Sequence, residues 1–454
     1  MRPFVPTEMP TLAPPPQAAA PAHPPRRQGP RPLPLHLATQ GWTFLTSCAG
    51  SLRLNSASPT SNPAAPTPGP PPSPDQSQSR SDPLAEIASL LQSPDDRRRF
   101  LAEVDAEARR RFDTFLRGVQ AYRDHPYHRP LTDPPAVWRA GTTALRDYRG
   151  TGGAVSPAGE GKGAAVLVVP SLVNRGYVLD LTARRSFMRH LARRGFQPFL
   201  VDWDAPGPEE RGFGLSDYVT RRLDPMVDAV RAASGRDRIG VVGYCMGGTL
   251  SLPLAQRRPD AVAALVTLAA PWDFHAGSRR QQRVMAALGE ALRTVIDVHD
   301  QLPLDLLQAM FASLDPGGIP RKFRAFAAMR AGSAKARDFV AMEDWLNDGV
   351  PLTAGVARET LFGWYADNLP GRGLWTIGGE TVDPARIAAR VLLAIPSRDR
   401  IVPPESALAL AAACPQAETV QVPLGHIGMM TGRRAGELVY RPLARWLGKA
   451  LRSP

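Results

Sequence analysis

The chain of 454 residues carries 55 Lys and Arg against 42 Asp and Glu, a formal charge of +13, and its length suits one large domain with extensions or two ordinary ones. The excess is mostly arginine and favours an anionic partner or substrate, yet no basic run is interleaved with aromatics, which argues against nucleic acid. Cys48, Cys245 and Cys414 are the only cysteines; they make no even disulfide framework and fit a reducing compartment, by default the cytoplasm.

Met1-Arg2-Pro3-Phe4-Val5-Pro6 is too interrupted by proline for a secretory signal, and no run of about 18 apolar residues predicts a transmembrane segment. Residues 1–82, dense in Pro and Ala, read as a disordered arm, since such a composition cannot bury enough apolar surface to order itself. One island within it, 33–52, holds Leu35, Leu37, Trp42, Phe44 and Leu45 and reads as a short amphipathic segment, docked on the main body in preference to an external hydrophobic surface. Residues 83–150 read as an N-terminal helical segment with leading strands. Ser93-Pro94-Asp95-Asp96 is the helix start: a capping serine, proline at the first helical position, acids in the first turn.

From Ala164 short apolar runs alternate with helical stretches, the pattern of a mainly parallel sheet. The runs are Ala164–Val169, Pro198–Val201, Ile239–Val242, Ala263–Leu268, Val391–Ile395 and Thr419–Val422. Residues 151–275 and 376–454 are thus two parts of one α/β core. The stretch 276–375 between them reads as helical, without alternation, and predicts a lid over an active site.

Gly243-Tyr244-Cys245-Met246-Gly247 lies between a buried-strand run and a helical one, the setting of a nucleophile elbow. Its glycines permit the sharp turn, and the helix head that follows offers N–H groups and a positive dipole end to a thiolate or an oxyanion. In this architecture the acid and the histidine follow the nucleophile, after two late strands. Asp399, past Val391–Ile395, and His426, past Thr419–Val422, stand there. The expectation is an α/β-hydrolase fold, a mainly parallel sheet with helices on both faces and a helical lid insertion, with Cys245, Asp399 and His426 as catalytic residues. The backbone N–H of Met246 and that of Val173, or of a neighbour of Val173, are the candidate oxyanion donors.

Competing groups are Asp273 and His275, which also follow a strand, and Asp202 and Asp204, which flank Trp203 and read as structural. His23 and His36 fall in the arm; His125 and His128 lie among turn residues, and His190 and His299 read as helix-surface groups. Cys414 reads as core. No Cys/His cluster has metal-ligand spacing and no Gly-rich phosphate loop occurs, so neither metal nor nucleotide cofactor is implied.

Pro170 to Leu181, Val201-Asp202-Trp203, Gly243 to Leu250 and Gly425-His426-Ile427-Gly428-Met429 resemble the polyhydroxyalkanoate synthases. Met342 to Asp348 and Ile377 to Asp383 make the short two-component type the nearest. One departure is Asp204, where the family pattern implies glycine; the long Pro-rich arm is another. The resemblance implies transfer of 3-hydroxyacyl groups from coenzyme A, as a thioester substrate and not a cofactor, to a growing polyester chain through an acyl-Cys245 enzyme. It also implies a cytoplasmic protein at a polyester granule surface, with a second synthase subunit or a homodimer among its partners. The rival readings are a Cys-dependent ester hydrolase or polyester depolymerase, and a non-catalytic granule-associated protein.

Overall fold

The computed structural model describes residues 27–56, 91, 93–153, 161, 163–277 and 279–452, with the backbone alone over 47–56 and 279–287. The stretches 1–26 and 57–82 of the proposed arm, His23 among them, lie outside the described residues. Residues 27–56 of that stretch are laid on the body. The apolar island forms helix α1 (Leu33–Ser56), which packs against α2 (Pro94–Arg123). Ser93 caps α2, its Oγ accepting from the Asp96 N–H at 3.0 Å.

An eight-stranded sheet forms the centre. Its strands are β1 (Ala136–Ala140), β2 (Thr143–Asp147), β3 (Ala165–Val169), β4 (Gln197–Asp202), β5 (Ile239–Tyr244), β6 (Val262–Leu268), β7 (Arg390–Pro396) and β8 (Glu418–Val422). They lie in the order β1-β2-β4-β3-β5-β6-β7-β8, and from β4 to β8 every neighbouring pair is parallel. The hairpin β1–β2 adds an antiparallel edge. β3 and β5 are buried at every position, so their runs of apolar residues and glycine, the second closed by Tyr244, are what a strand covered on both faces requires.

Helices cover both faces. On one side α4 (Asp224–Ser234), α5 (Met246–Arg257) and α10 (Pro404–Ala413) bring Val227, Leu250 and Leu410 into one core with Leu167, Val241 and Leu393. On the other, α3 (Phe187–Arg193) and α11 (Arg441–Ala450) set Phe187 and Leu447 against Val166 and Val242. Between β6 and β7 the chain leaves the sheet as α6 (Arg279–His299), α7 (Leu304–Ala312), α8 (Gly318–Ala327), α9 (Ala334–Asn347) and a wider-wound turn, Glu359–Ala366. This insertion is joined to the N-terminal helices by a third core of Phe115, Val119, Tyr122, Phe323 and Phe326. The crossing of α2 and α8 is close: any Cβ on Gly118 would meet the Phe323 carbonyl. Only glycine fits there.

Candidate active site

β5 delivers the chain to the carboxyl edge of the sheet, where it must reverse into α5 within one residue. That residue is Cys245, with φ +55° and ψ −128°, a left-handed backbone that an L side chain adopts only under strain. Three constraints hold it there. The Cys245 N–H donates to the Leu268 carbonyl at 2.8 Å. A Cβ on Gly247 would strike the Val169 and Pro170 carbonyls, and one on Gly243 would strike the backbone of Gly247 and Gly248. The sulfur side chain is half-buried and touches both cores.

The loops after β7 and β8 bring Asp399 and His426 to the same edge. His426 Nδ1 lies 2.6 Å from Asp399 Oδ2, and Asp399 Oδ1 accepts from the N–H groups of Ile401 at 2.8 Å and Val402 at 2.9 Å. Both carboxylate oxygens are occupied, so the acid is fixed and fixes the ring. With Nδ1 engaged on Asp399, Nε2 is the ring nitrogen left to face Cys245. Burial works against charge on His426, but the interaction with Cys245 and the hydrogen bond with Asp399 outweigh it, lifting the imidazole from 6.5 to about 10. Of the three residues named from the sequence as catalytic, Asp399 and His426 are hydrogen-bonded to each other, and Cys245 stands at the same edge of the sheet.

The competing pair is turned elsewhere. Asp273 Oδ1 accepts from the N–H groups of His275 (2.8 Å) and Ala276 (3.0 Å) and from Asn368 Nδ2 (2.8 Å), tying the loop after β6 to the lid. His275 Nε2 lies 3.0 Å from the Ala366 carbonyl. Asp202 is held by Arg146. Cys414 is buried at the end of α10 and its thiol is pushed up to about 11 by that burial; the Cys48 side chain lies outside the described residues. His36 and His125 are buried, the latter against the Ala331 carbonyl. His190 rests on the Tyr440 ring, and His128 and His299 are exposed.

Of the oxyanion candidates, Met246 opens α5, where first-turn N–H groups have no partner within the helix. The Val173 N–H donates to Ser171 Oγ at 3.2 Å. The loop carrying Val173 is braced on three sides. Trp203 Nε1 donates to the Pro170 carbonyl at 3.0 Å, Trp345 Nε1 to the Arg175 carbonyl at 2.8 Å, and Arg175 spans Asp204 (2.6 Å) and Asp348 (2.9 Å). Asn174 and Gly349 also form a bridge. Segments far apart in sequence thus fasten this loop to the lid. Asp204, where glycine was expected, has φ +55°; its Oδ1 accepts from the Ala205 N–H at 2.7 Å and from Arg175, local bonds through which Asp tolerates a left-handed position.

Two groups escaped the sequence reading. Tyr244, adjacent to the cysteine, reaches across to the histidine loop, its hydroxyl donating to the His426 carbonyl at 3.2 Å. Tyr365, on the lid, is raised to about 12 by burial and by the charge of Cys245. Adjacency in sequence was a signal for Tyr244; nothing in sequence marked Tyr365.

The family model described as alpha/beta hydrolase fold matches residues 164–433. Among known proteins, the chain is 31% identical over 298 residues to the poly(3-hydroxyalkanoate) polymerase subunit PhaC of Haloarcula marismortui, covering 64% of this chain and 62% of that one. It is 32% identical to the subunit of the same name from Synechocystis sp., covering 63% of this chain and 77% of the relative, and 29% identical to that of Allochromatium vinosum, covering 64% and 82%. The match spans only 62% and 58% of the length of the relatives from Haloarcula marismortui and Haloferax mediterranei.

Proposed function

This chain belongs to the alpha/beta hydrolase fold family and, within it, to the poly(3-hydroxyalkanoate) polymerases, and from that premise we propose that it transfers 3-hydroxyacyl groups from coenzyme A thioesters to a growing polyester through an acyl-Cys245 intermediate. The observation that carries the reading is a strained, half-buried Cys245 at the head of a helix, at the sheet edge where Asp399 holds His426 at 2.6 Å.

In the first half-reaction His426 takes the thiol proton and the sulfur attacks the thioester carbonyl. Negative charge develops on the carbonyl oxygen beside the Met246 N–H; the Val173 N–H joins it by leaving Ser171 Oγ. The C–S bond to coenzyme A breaks, and the departing thiolate takes the proton from His426. One thioester replaces another, so the step is close to balanced in free energy. In the second half-reaction His426 removes the proton of a 3-hydroxyl, the alkoxide attacks acyl-Cys245, an ester forms and Cys245 leaves, recovering its proton from His426. The lid keeps water from competing as acceptor. Coenzyme A enters only as the carrier of the substrate, and a second synthase subunit or a second copy of the chain belongs to this reading as partner.

Incubation of the purified protein with 3-hydroxybutyryl-coenzyme A tests it: thiol release is followed and the product is weighed. Polymer supports the proposal. Free acid identifies a hydrolase, and no release identifies a non-catalytic member of the family.

A further inference from the structure

The loop after β3 is anchored on two different bodies. Its near end belongs to the core: Trp203 holds the Pro170 carbonyl, the Val169 and Pro170 carbonyls back onto Gly247 so closely that a Cβ there has no room, and the Leu172 side chain is buried in one core with β3 and β5. Its far end belongs to the last turn of α9. Trp345 Nε1 donates to the Arg175 carbonyl at 2.8 Å, Arg175 Nε donates to Asp348 Oδ1 at 2.9 Å, and the backbones of Asn174 and Gly349 bridge. The approach is close: a Cβ on Gly349 would lie 2.9 Å from Asn174 Oδ1.

The same turn is gripped from another side. Arg27 pairs with Asp344, and the Arg31 N–H donates to Asn347 Oδ1 at 2.9 Å. The Tyr122 hydroxyl donates to Asp344 Oδ1 at 2.9 Å and accepts from Asn347 Nδ2 at 3.1 Å. Residues three apart share a helix face, so Asp344 and Asn347 serve the N-terminal segment and α2, while Trp345 and Asp348 serve the loop after β3. Between the two anchors of that loop lies the Leu172–Val173 peptide, which carries the Val173 N–H. Its bond to Ser171 Oγ is long, 3.2 Å, and a charged oxygen is the stronger acceptor. With its neighbours fixed on both sides, this peptide can exchange one acceptor for the other without the loop moving as a whole.

We propose that Trp345 and Asp348 are positioning residues for acyl transfer: through Arg175 the last turn of α9 holds the loop after β3 so that the Val173 N–H, on leaving Ser171, meets the oxyanion of the tetrahedral intermediate. The inference rests on the acyl-Cys245 reading and extends it to the lid. Both residues act through the loop and not on the substrate. A donor fixed in advance costs no reorganisation when charge develops, so loss of the clamp falls on kcat and leaves KM little changed.

The test follows thiol release by the full chain from 3-hydroxybutyryl-coenzyme A and from its analogue with sulfur in place of the acyl carbonyl oxygen, a far weaker hydrogen-bond acceptor. Trp345→Phe keeps the ring and removes the donor; Asp348→Ala removes the partner of Arg175, and Asp348→Asn keeps an acceptor there. Trp345→Phe and Asp348→Ala should lower kcat on the oxygen substrate about tenfold, short of the roughly 10²–10³ that outright loss of an oxyanion donor costs, with Asp348→Asn between them and the parent. The preference for the oxygen over the sulfur substrate should shrink by the same factor, which loss of stability alone would not produce. Asp338→Ala, which breaks the ion pair with Arg185 nearer the start of α9, should keep the parent's kcat and preference. If Trp345→Phe does not fold, Asp348→Ala carries the test. Equal slowing on both substrates, an effect confined to KM, or a like loss in Asp338→Ala overturns the proposal. A parent that releases no thiol from either substrate sinks the acyl-transfer reading instead, and hydrogen exchange then decides the clamp: faster exchange at the amides of Val173, Asn174 and Arg175 in Asp348→Ala leaves it standing, and unchanged exchange overturns it as well.

Discussion

Tyr244 holds His426 twice: its hydroxyl donates to the His426 carbonyl at 3.2 Å, and its ring centre lies 5.3 Å from that of the imidazole. The residue before the proposed nucleophile thereby sets the height of the proposed base, across 182 positions of sequence. Tyr244→Phe keeps the ring and removes the hydroxyl, leaving a buried carbonyl without its donor. Stability should fall by about 1–3 kcal/mol in urea unfolding. Thiol release should slow several-fold at saturating substrate with KM little changed, and the pH profile of the rate should shift, which loss of stability alone would not do.

His426 also makes stability depend on pH. Its folded value, about 10, stands above the unfolded 6.5, so its contribution is complete below about pH 6.5 and is lost as pH rises through about 10. Burial opposes this and the charge of Cys245 is the largest influence raising it. Cys245→Ala should therefore bring the imidazole back toward its ordinary range and flatten the stability curve between pH 7 and 10. Ring NMR of His426 in the two proteins measures the first effect, and denaturant midpoints across that range the second. Identical titrations would show that sulfur and imidazole do not interact.

Asp204 offers a test of backbone strain. At φ +55° an alanine is strained by about 1–2 kcal/mol while a glycine is not. Both substitutions lose the pair with Arg175, which is 30% exposed and faces an acid 49% exposed, and such a pair contributes less than about 1 kcal/mol. Asp204→Ala should thus be clearly less stable than Asp204→Gly by denaturant titration. Equal stabilities would mean that the loop relaxes out of the left-handed region.

The parts of the molecule that sequence shows are those where one local rule decides. Ile239 to Val242 can only be a strand covered on both faces, and a helix opening at Met246 leaves Cys245 no place but the turn. Asp399 and His426 are found by counting strands, because loops at one edge of a parallel sheet must converge. Contacts made by side chains across folded distance carry no such periodicity. Tyr244 looks like an ordinary aromatic until β8 is laid beside β7, and Arg175 until the lid returns with Asp348. Within the arm the island 33–52 stood out by its Leu, Trp and Phe side chains, whereas Arg27 to Pro32 before it was submerged in a composition that reads as disorder.

Arg27 shows what that segment does for the lid. Its guanidinium meets both oxygens of Asp344 on α9, Nε at 2.5 Å and Nη2 at 2.8 Å, and donates to the carbonyls of His125 and Tyr127 beyond α2. The Arg27 side chain is 12% exposed and that of Asp344 28%. Arg27→Ala should destabilise the protein by about 1.5–3 kcal/mol, the range for hydrogen bonds to charged groups. Faster hydrogen exchange should appear in α9 and the end of α2 while β5 stays protected. Uniform exchange across the molecule would show that the strap stabilises the whole fold and not the lid.

The two halves of the proposed reaction make unequal demands on the carboxylate, and this separates Asp399 from Asp273. Loading Cys245 needs a thiolate, which His426 supplies. Elongation needs activation of an alcohol, whose pKa lies far above that of a thiol, and there a carboxylate that orients His426 and stabilises its charged form matters most. In Asp399→Asn the side-chain oxygen can still accept from Ile401 and Val402, so the loop survives, but an NH₂ then faces His426 Nδ1 and forces the wrong tautomer. Acylation should still appear as a mass increase on the intact protein, while turnover falls by roughly 10²–10⁴. Asp273→Asn keeps an oxygen for the His275 and Ala276 N–H groups and should alter both steps far less. A trapped acyl-enzyme in Asp273→Asn, with Asp399→Asn behaving as the parent, would place the working carboxylate after β6 and not after β7.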